Sequence, residues 1–355
     1  MIKVGIIGAN GYTGAELLRI LCNHAGAEVV MVTSRKYEGV MVSDVFGSLI
    51  NKCALKFEAM DIAKVSQKCD VVFTALPHGV SMKVVPQLIE AGLKVIDLSG
   101  DFRYKDYNVY EKWYGLEHVS RELLEKSVYG LCEINREQIK NAQLIGNPGC
   151  YTTCSIMALA PMIARGVIKR EGIVIDAKSG VTGAGRVEDI AYNFNEVLGN
   201  MLSYKAGVHR HVSEIEEQIS YAAGADNADS IKLMFAPHLV PMKRGIFATI
   251  YADLSDSALQ NGLTVDDILE EYRKYYIGSK FVRVYPKGRL PQVHNVVGTN
   301  CFDVGVVKDE RLGKLVIIAC IDNLVKGAAG QAVQNMNLMY NLEESTGLES
   351  VGLYV

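Results

Sequence analysis

Apolar residues recur along this chain in two rhythms, and their order outlines the architecture. Lys3-Val4-Gly5-Ile6-Ile7 is a short apolar run that reads as a buried strand. After a glycine-rich turn, Ala15-Glu16-Leu17-Leu18-Arg19-Ile20-Leu21 takes helical spacing. Strand-like runs return at Glu28-Val29-Val30-Met31-Val32-Thr33, Val71-Val72-Phe73-Thr74-Ala75-Leu76, Lys94-Val95-Ile96-Asp97-Leu98 and 142–145. A helix is predicted over 81–90, where Pro86 implies a kink or a late start. Strands alternating with helices predict an α/β unit on a parallel sheet of the Rossmann type.

Past the helix that opens at Ser155-Ile156-Met157-Ala158-Leu159-Ala160 the rhythm changes. Strands are predicted over 172–177, 231–239, 246–254, 281–285, 296–307 and 314–321, with one helix over 265–276. Consecutive strands with few helices predict an α+β domain on a mixed, largely antiparallel sheet. Such a sheet has a face to cover, which predicts a homo-oligomer, a dimer or a tetramer. Residues 322–337 read as a helix with a small-residue face, suited to close approach to the first domain. The stretch 104–129, rich in tyrosine and holding Trp113, reads as irregular, either a lid or a packing excursion.

Composition narrows the function classes. The chain has 355 residues, 49% hydrophobic and 22% charged, enough for two domains with real cores. A net charge of −3 argues against nucleic acid or membrane partners. An opening strand leaves no room for a leader peptide, and the most apolar run, 156–168, is broken by Pro161 and Arg165. The eight cysteines form no CxxC pair and no zinc-spaced cluster, so we expect no metal and a reducing, cytoplasmic setting.

The turn after the first strand is Gly8-Ala9-Asn10-Gly11-Tyr12-Thr13-Gly14. Strand, glycine turn and helix open a dinucleotide site, with the pyrophosphate on the helix N-terminus. The bland alternative is a turn kept for close packing. The second strand ends on Ser34-Arg35-Lys36, without the carboxylate that would hold an NAD ribose, so a 2′-phosphate and NADP are expected; Arg35 and Lys36 as plain loop charges remain open. Leu76, Pro77, His78 and Ser99, at the ends of later strands, are expected to line the same coenzyme site. Arg103 is a candidate for a substrate phosphate, with a surface arginine as the alternative.

The centre of the chain's chemistry is Gly146-Asn147-Pro148-Gly149-Cys150-Tyr151-Thr152-Thr153. Cys150 sits at a strand-to-helix corner, where a helix N-terminus favours a thiolate. Small buried cysteines in tight turns are as common. Downstream, Lys178-Ser179-Gly180-Val181-Thr182-Gly183-Ala184-Gly185-Arg186 looks like a loop passing close to a ligand. His209 and His211 precede the helical spacing of Val212, Ile215 and Ile219, and either imidazole could exchange a proton near Cys150. Glu214, three residues after His211, could orient it. Asn323 could hold a nicotinamide amide.

Taken together, the glycine turn, Asp97-Leu98-Ser99-Gly100-Asp101-Phe102-Arg103, the Cys150 motif, Ser179 to Arg186, His209-Arg210-His211 and Asn323-Leu324-Val325-Lys326-Gly327-Ala328-Ala329-Gly330-Gln331 give a specific pattern. Over nearly its whole length the chain resembles the N-acetyl-γ-glutamyl-phosphate reductase family, in the aspartate-semialdehyde dehydrogenase-like superfamily. Gly100 departs from the alanine expected in many relatives. The resemblance implies NADPH-dependent reductive dephosphorylation of N-acetylglutamyl phosphate to the semialdehyde in arginine biosynthesis, through a Cys150 thioester. It implies His209 as acid/base, with His211 and Glu214 positioning it or the substrate. Gly8, Asn10, Gly11, Tyr12, Thr13, Gly14, Ser34, Arg35, Leu76, Pro77, His78, Ser99, Ser179, Gly180, Gly183 and Asn323 would hold NADP. Arg103, Asn147, Arg186 and Arg210 would hold the acyl phosphate. Residues 1–147 form the expected NADP-binding domain, with a C-terminal helix over 324–355 packing back on it; 148–323 form the catalytic and oligomerisation domain. The rivals are the same chemistry on an aspartyl or carrier-bound aminoadipyl phosphate, a cysteine hydrolase, and a non-catalytic NADP-sensing module.

Overall fold

In the computed structural model, residues 1–224 and 231–353 are described. Residues 225–230, inside the expected second domain, and 354–355, at the end of the expected C-terminal helix, lie outside them. The chain divides into two units, Met1–Gly149 with Ala328–Ser350, and Cys150–Gly327 with Val351–Val355.

The first unit is built on β1 (Ile2–Ile7), β2 (Ala27–Thr33), β3 (Phe57–Glu58), β4 (Val71–Thr74), β5 (Lys94–Asp97), β6 (Val128–Tyr129) and β7 (Leu144–Gly146). They form one sheet in the order β3-β2-β1-β4-β5-β7-β6, with every pair parallel. The chain steps outward from β1 to β3, then crosses back to β4, so the direction of winding reverses between β1 and β4. Ligands bind off the carboxyl ends of strands at such a switch point. The apolar runs follow from burial on both faces: Val4, Ile6, Val72, Phe73, Val95 and Ile96 have no exposed surface. Helices α1 (Tyr12–Leu21), α2 (Ser81–Glu90), α3 (Tyr107–Tyr114) and α4 (Cys132–Lys140) belong to this unit.

The tyrosine-rich stretch contains α3, a short helix Arg121–Lys126 and β6, not one irregular loop. Tyr104 and Tyr110 are buried, and the Tyr110 and Tyr114 rings stack at 4.5 Å. With Phe102 and Leu124 they join the apolar core of the unit, so the stretch is a packing excursion.

The second unit begins with α5 (Cys150–Ala164), followed by β8 (Ile173–Gly180), β9 (Leu202–Ser203), α6 (His211–Ala222), β10 (Leu233–Val240), β11 (Ile246–Asp253), α7 (Val265–Tyr275), β12 (Val282–Val284), β13 (Phe302–Asp309) and β14 (Lys314–Ile321). The sheet order is β12-β13-β14-β11-β8-β10-β9. Pairs β12–β13 and β8–β10 are parallel and the others antiparallel. The mixed sheet is as its sequence pattern predicts. Helix α5 is buried all round, from Tyr151 to Ile163. It tolerates Pro161, which lacks the N–H that Met157 would otherwise bond; the Tyr276 hydroxyl donates to the Met157 carbonyl at 2.7 Å instead.

Three boundaries differ from expectation. Helix α5 starts at Cys150 itself, not at Ser155. The strand expected over 296–307 starts only at Phe302. Before it, Gly298 takes φ +80° and gives its N–H to the Asp322 carboxylate at 2.8 Å, so this stretch cannot join a ladder. The helix expected from 322 opens as a π-helical turn, Val325–Ala329, and continues as α8 (Gly330–Met339). Asn341, left-handed at φ 53°, follows its end, so the C-terminal helix expected over 324–355 stops at Met339 and residues 340–353 are not helical. Helix α8 packs on α1, α4 and β5. Among the described residues, no helix is long and apolar enough to cross a membrane.

Gly146 at the end of β7 lies directly on the backbone of Phe102: a Cβ there would stand 1.9 Å from the Phe102 carbonyl oxygen. Gly146→Ala should therefore lower stability by about 3 kcal/mol, read as a lower urea midpoint. An unchanged midpoint would contradict this packing.

Candidate active site

The glycine turn leaves β1 at the switch point. Gly8 takes φ +81°, and a Cβ on it would stand 2.5 Å from the Ala75 carbonyl oxygen. Only glycine fits there. Thr33, at the end of β2, pins the turn: its hydroxyl accepts the Gly8 N–H at 3.2 Å and its carbonyl the Ala9 N–H at 3.0 Å. Around a Cβ placed on Gly11 there would be open space, and no side chain of that N-cap residue closes the start of α1. An open glycine over an uncapped helix start fits a pyrophosphate. Tyr12 is exposed, and Asn10 and Thr13 are half-buried. Beyond β2, Arg35 is exposed, while Ser34 is buried and its Oγ accepts the Tyr37 N–H.

The ends of β4 and β5 carry the next candidates. Leu76 and His78 are half-buried and Pro77 exposed. His78 Nδ1 accepts the Gly100 N–H at 2.8 Å, which leaves the ring proton of the neutral form on Nε2. Ser99 is buried and gives its hydroxyl to Asp97 at 2.5 Å. Burial, then the nearby Asp101 carboxylate, pushes Asp97 up to about 6, against hydrogen bonds from Ser99 and Thr74.

Two residues expected on the substrate are engaged inside the first unit. Arg103 is buried, with Nε donating to the Asn147 carbonyl at 2.7 Å and Nη2 to the Leu98 carbonyl at 3.2 Å. Asn147 donates from Nδ2 to the Ala328 carbonyl at 3.1 Å and accepts at Oδ1 from Asn335 at 3.1 Å. Both hold the corner that leads to Cys150.

In the second unit, Cys150 is the first residue of α5 and is half-buried. Gly327 packs on it: a Cβ on Gly327 would lie 2.8 Å from the Cys150 Cβ. Gly327, the last residue of the small-residue stretch in the second unit, is thus pressed against the cysteine of that unit. Asp322 shapes that turn, its Oδ1 accepting the N–H groups of Leu324 and Val325 at 2.8 and 3.2 Å. The next residue along α5, Tyr151, stands edge-on to His209 and His211, both at 6.1 Å between ring centroids. The two imidazoles are 4.6 Å apart, and Tyr204 and Phe235 close the cage around His209. The Tyr204 hydroxyl lies 3.4 Å from that of Tyr151, which donates to the His238 carbonyl. Burial pushes Tyr204 up to about 12 and Tyr151 well above the usual phenol range.

His209 is buried and His211 is the first residue of α6. Burial, reinforced by the charges of Arg210 and Lys205, pushes His209 down to about 4. Its Nδ1 accepts the His211 N–H at 3.1 Å, so the proton of the neutral ring sits on Nε2. Glu214, also buried, accepts the Thr152 hydroxyl at 2.7 Å. Arg210 is half-buried and Arg186 exposed. Ser179 is buried, its hydroxyl donating to the Gly180 carbonyl, and a Cβ on Gly183 would stand 2.8 Å from that hydroxyl. Asn323 accepts the Gly245 N–H at 2.8 Å and donates to the Thr182 hydroxyl at 3.0 Å, leaving one amide hydrogen for another partner. Sequence reasoning passed over Thr33, Thr152, Asp322 and Gly327, whose roles are contacts with residues distant in the chain.

The profile described as "Semialdehyde dehydrogenase, NAD binding domain" matches residues 3–142, and "Semialdehyde dehydrogenase, dimerisation domain" matches 150–323. The N-acetyl-gamma-glutamyl-phosphate reductases of Desulforudis audaxviator and Acetivibrio thermocellus are 50% and 47% identical to this chain, each over 100% of both sequences. The chain belongs to the N-acetyl-gamma-glutamyl-phosphate reductase family. It is thus an oxidoreductase of the semialdehyde dehydrogenase kind. The family's fold extends to more distant structures. An aspartate semialdehyde dehydrogenase II from Vibrio cholerae superposes with a TM-score of 0.72 at 19% identity, covering 96% of this chain and 98% of that one. A Candida albicans aspartate semialdehyde dehydrogenase solved with NADP gives 0.68 at 16%, with 96% and 98% covered.

The hydrogen bond at Nδ1 and the burial of His209 make a direct expectation. Nitrogen NMR across pH should show His209 as the Nε2–H tautomer from neutral pH down to about 4. Because the folded-state value lies below the ordinary 6.5, the unfolded chain takes up this proton first; the group's contribution to stability is complete above 6.5 and lost as pH falls toward 4. A His209 that titrates at 6.5, or carries its proton on Nδ1, would contradict the geometry.

Proposed function

We propose that this chain is the reductase that converts N-acetyl-L-glutamyl 5-phosphate into N-acetyl-L-glutamate 5-semialdehyde and phosphate, using NADPH, in arginine biosynthesis. The observation that carries the reading is Cys150 as the first residue of a buried helix whose next residue, Tyr151, stands edge-on to His209, in a chain matched end to end by reductases of that name. The first unit is the NADP-binding domain, and the second the catalytic and oligomerisation domain.

The helix start favours the Cys150 thiolate. Its sulfur adds to the acyl carbon, the bond to the phosphate oxygen breaks, and phosphate leaves with that electron pair, giving an enzyme thioester. NADPH, when bound, supplies the hydride that reduces the thioester carbonyl. His209 Nε2–H gives its proton to the resulting oxygen and takes it back as the carbon–sulfur bond breaks and the thiolate leaves. His211 and Glu214 position His209 or the substrate. Arg186 and Arg210 bind the phosphate and the α-carboxylate, whereas Arg103 and Asn147 hold the corner before Cys150. The glycine turn from Gly8 to Gly14 takes the pyrophosphate, and Arg35 the 2′-phosphate. Eight thiols without a disulfide suit the cytoplasm.

Offered N-acetylglutamate semialdehyde, NADP and phosphate, the protein should reduce NADP only when phosphate is present, followed at the NADPH absorbance. Cys150→Ser should remove roughly a thousandfold or more of that rate. Reduction indifferent to phosphate would make the protein a plain aldehyde dehydrogenase, and equal turnover of aspartate semialdehyde would remove the substrate assignment.

The protein acts as a homo-oligomer, a dimer or a tetramer. One face of the second sheet is packed by α5 and α6, while Val174, Met234 and Tyr251 are exposed on the other. Between β8 and α6 the chain also exposes Ile190 and Phe194, each at 73%. Apolar surface of this extent calls for a partner, and a second copy is the one a dimerisation domain supplies. Sedimentation should give a dimer or larger, and Ile190→Asp with Phe194→Asp should shift it toward monomer; a wild-type monomer at micromolar concentration would overturn the assignment.

A further inference from the structure

Ser99 and Arg103 have roles above, but Asp101, between them, has none. It is fully buried, and its carboxylate is surrounded by donors. The Gly79 N–H lies 2.9 and 3.0 Å from its two oxygens, the Met82 N–H 3.0 Å from Oδ2, and the Tyr110 hydroxyl 2.9 Å from Oδ1. Its own N–H donates to the Ser99 hydroxyl at 3.0 Å, and its carbonyl lies 2.7 Å from His118 Nε2. A buried carboxylate is costly unless it is solvated by donors in this way.

These bonds converge on the loop between β4 and α2. Gly79, at φ +78°, is where that loop turns back, and Met82 is in the first turn of α2, where a carboxylate suits the helix dipole. The other end of the loop, Ala75 and Leu76, presses on Gly8, the first glycine of the nucleotide turn. Tyr110 brings in α3. Its stacking partner Tyr114 stands edge-on to His78 at 5.1 Å, and a Cβ on Gly100 would lie 2.1 Å from the Tyr114 hydroxyl. Glycine at 100 is what lets Tyr114 reach the His78 ring.

We propose that Asp101 is a positioning residue for the coenzyme: through Gly79 and Met82 it fixes the loop from Ala75 to Gly79 against the Gly8 turn, and through Tyr110 it couples that loop to α3. The inference rests on the reading that the glycine turn holds NADP. A carboxylate has only acceptors, which suits two N–H groups and one O–H; an amide of the same shape would turn an NH2 toward one of them.

The full chain tests this through NADPH binding by fluorescence, KM against kcat, iodoacetamide alkylation of Cys150 without coenzyme, and the urea midpoint. Asp101→Asn should raise both Kd and KM for NADPH about tenfold, with kcat, alkylation rate and midpoint close to wild type. Tyr110→Phe, which removes one of the bonds, should raise them by roughly threefold. Should Asp101→Asn fail to fold, Tyr110→Phe and Gly100→Ala decide: Gly100→Ala displaces Tyr114 and should also weaken NADPH binding. Unchanged NADPH affinity in the folded variants, or a loss only in step with a falling midpoint, would overturn the positioning role. No NADPH binding by the wild-type protein would instead sink the reading of the glycine turn, and this proposal with it.

Discussion

The hydroxyl of Thr152 donates to the carboxylate of Glu214, and much of the second unit's chemistry depends on that bond. Thr152 lies in the first turn of α5 and Glu214 in the first turn of α6, so the bond fastens two helix N-termini side by side. Each start carries partial positive charge from unbonded N–H groups, and two such ends repel. The buried Glu214 carboxylate offsets both. With the helix starts fastened, His209 and His211 both stand against the ring of Tyr151, the residue after Cys150. Glu214 thus owes its burial to the geometry of two helices.

The first unit meets the same problem with a different device. Its strand ends must carry polar loops without leaving backbone groups unbonded at the edge of a core. Asp97 and Asp101 gather hydroxyls and N–H groups from Thr74, Ser99, Gly79, Met82 and Tyr110. Arg103 takes the Asn147 and Leu98 carbonyls, and Asn147 takes that of Ala328. Acidic groups collect donors and basic groups collect acceptors, so each loop is held by a side chain from another. These crossed bonds tie the loops at the strand ends of the first unit to one another.

The parts legible in the sequence were those set by local pattern. Continuous apolar runs marked the parallel strands, and the GxxGxxG turn between a strand and a helix marked the switch point, because burial on both faces and a left-handed Gly8 leave local signatures. Long-range choices left none. An arginine in a motif reads as a ligand for anions, yet Arg103 gives Nε and Nη2 to the Asn147 and Leu98 carbonyls, bonds that a guanidinium also makes. The apolar residues from 296 to 301 read as strand because nothing in the sequence says that Asp322 will claim the Gly298 N–H. The small-residue stretch reads as one contact, yet Gly327 packs on Cys150 while α8 beyond it packs on α1, α4 and β5 of the first unit. The tyrosine-rich excursion could not be told from a lid, since only its burial decides.

The state of His209 sorts the labour among these groups. A base that deprotonates a thiol needs a lone pair aimed at it, and the one lone pair of neutral His209, at Nδ1, already receives the His211 N–H. What the ring has to offer is Nε2–H, a donor, and burial keeps it from carrying a second proton at neutral pH. Such a ring is suited to an oxygen that gains negative charge, giving a hydrogen bond and then a proton. In the proposed route the start of α5, with its N–H groups and dipole, is what favours the Cys150 thiolate. On this division, an imidazole buried to stay neutral and a cysteine at a helix start are two halves of one proposed arrangement, the first offering a donor and the second a thiolate.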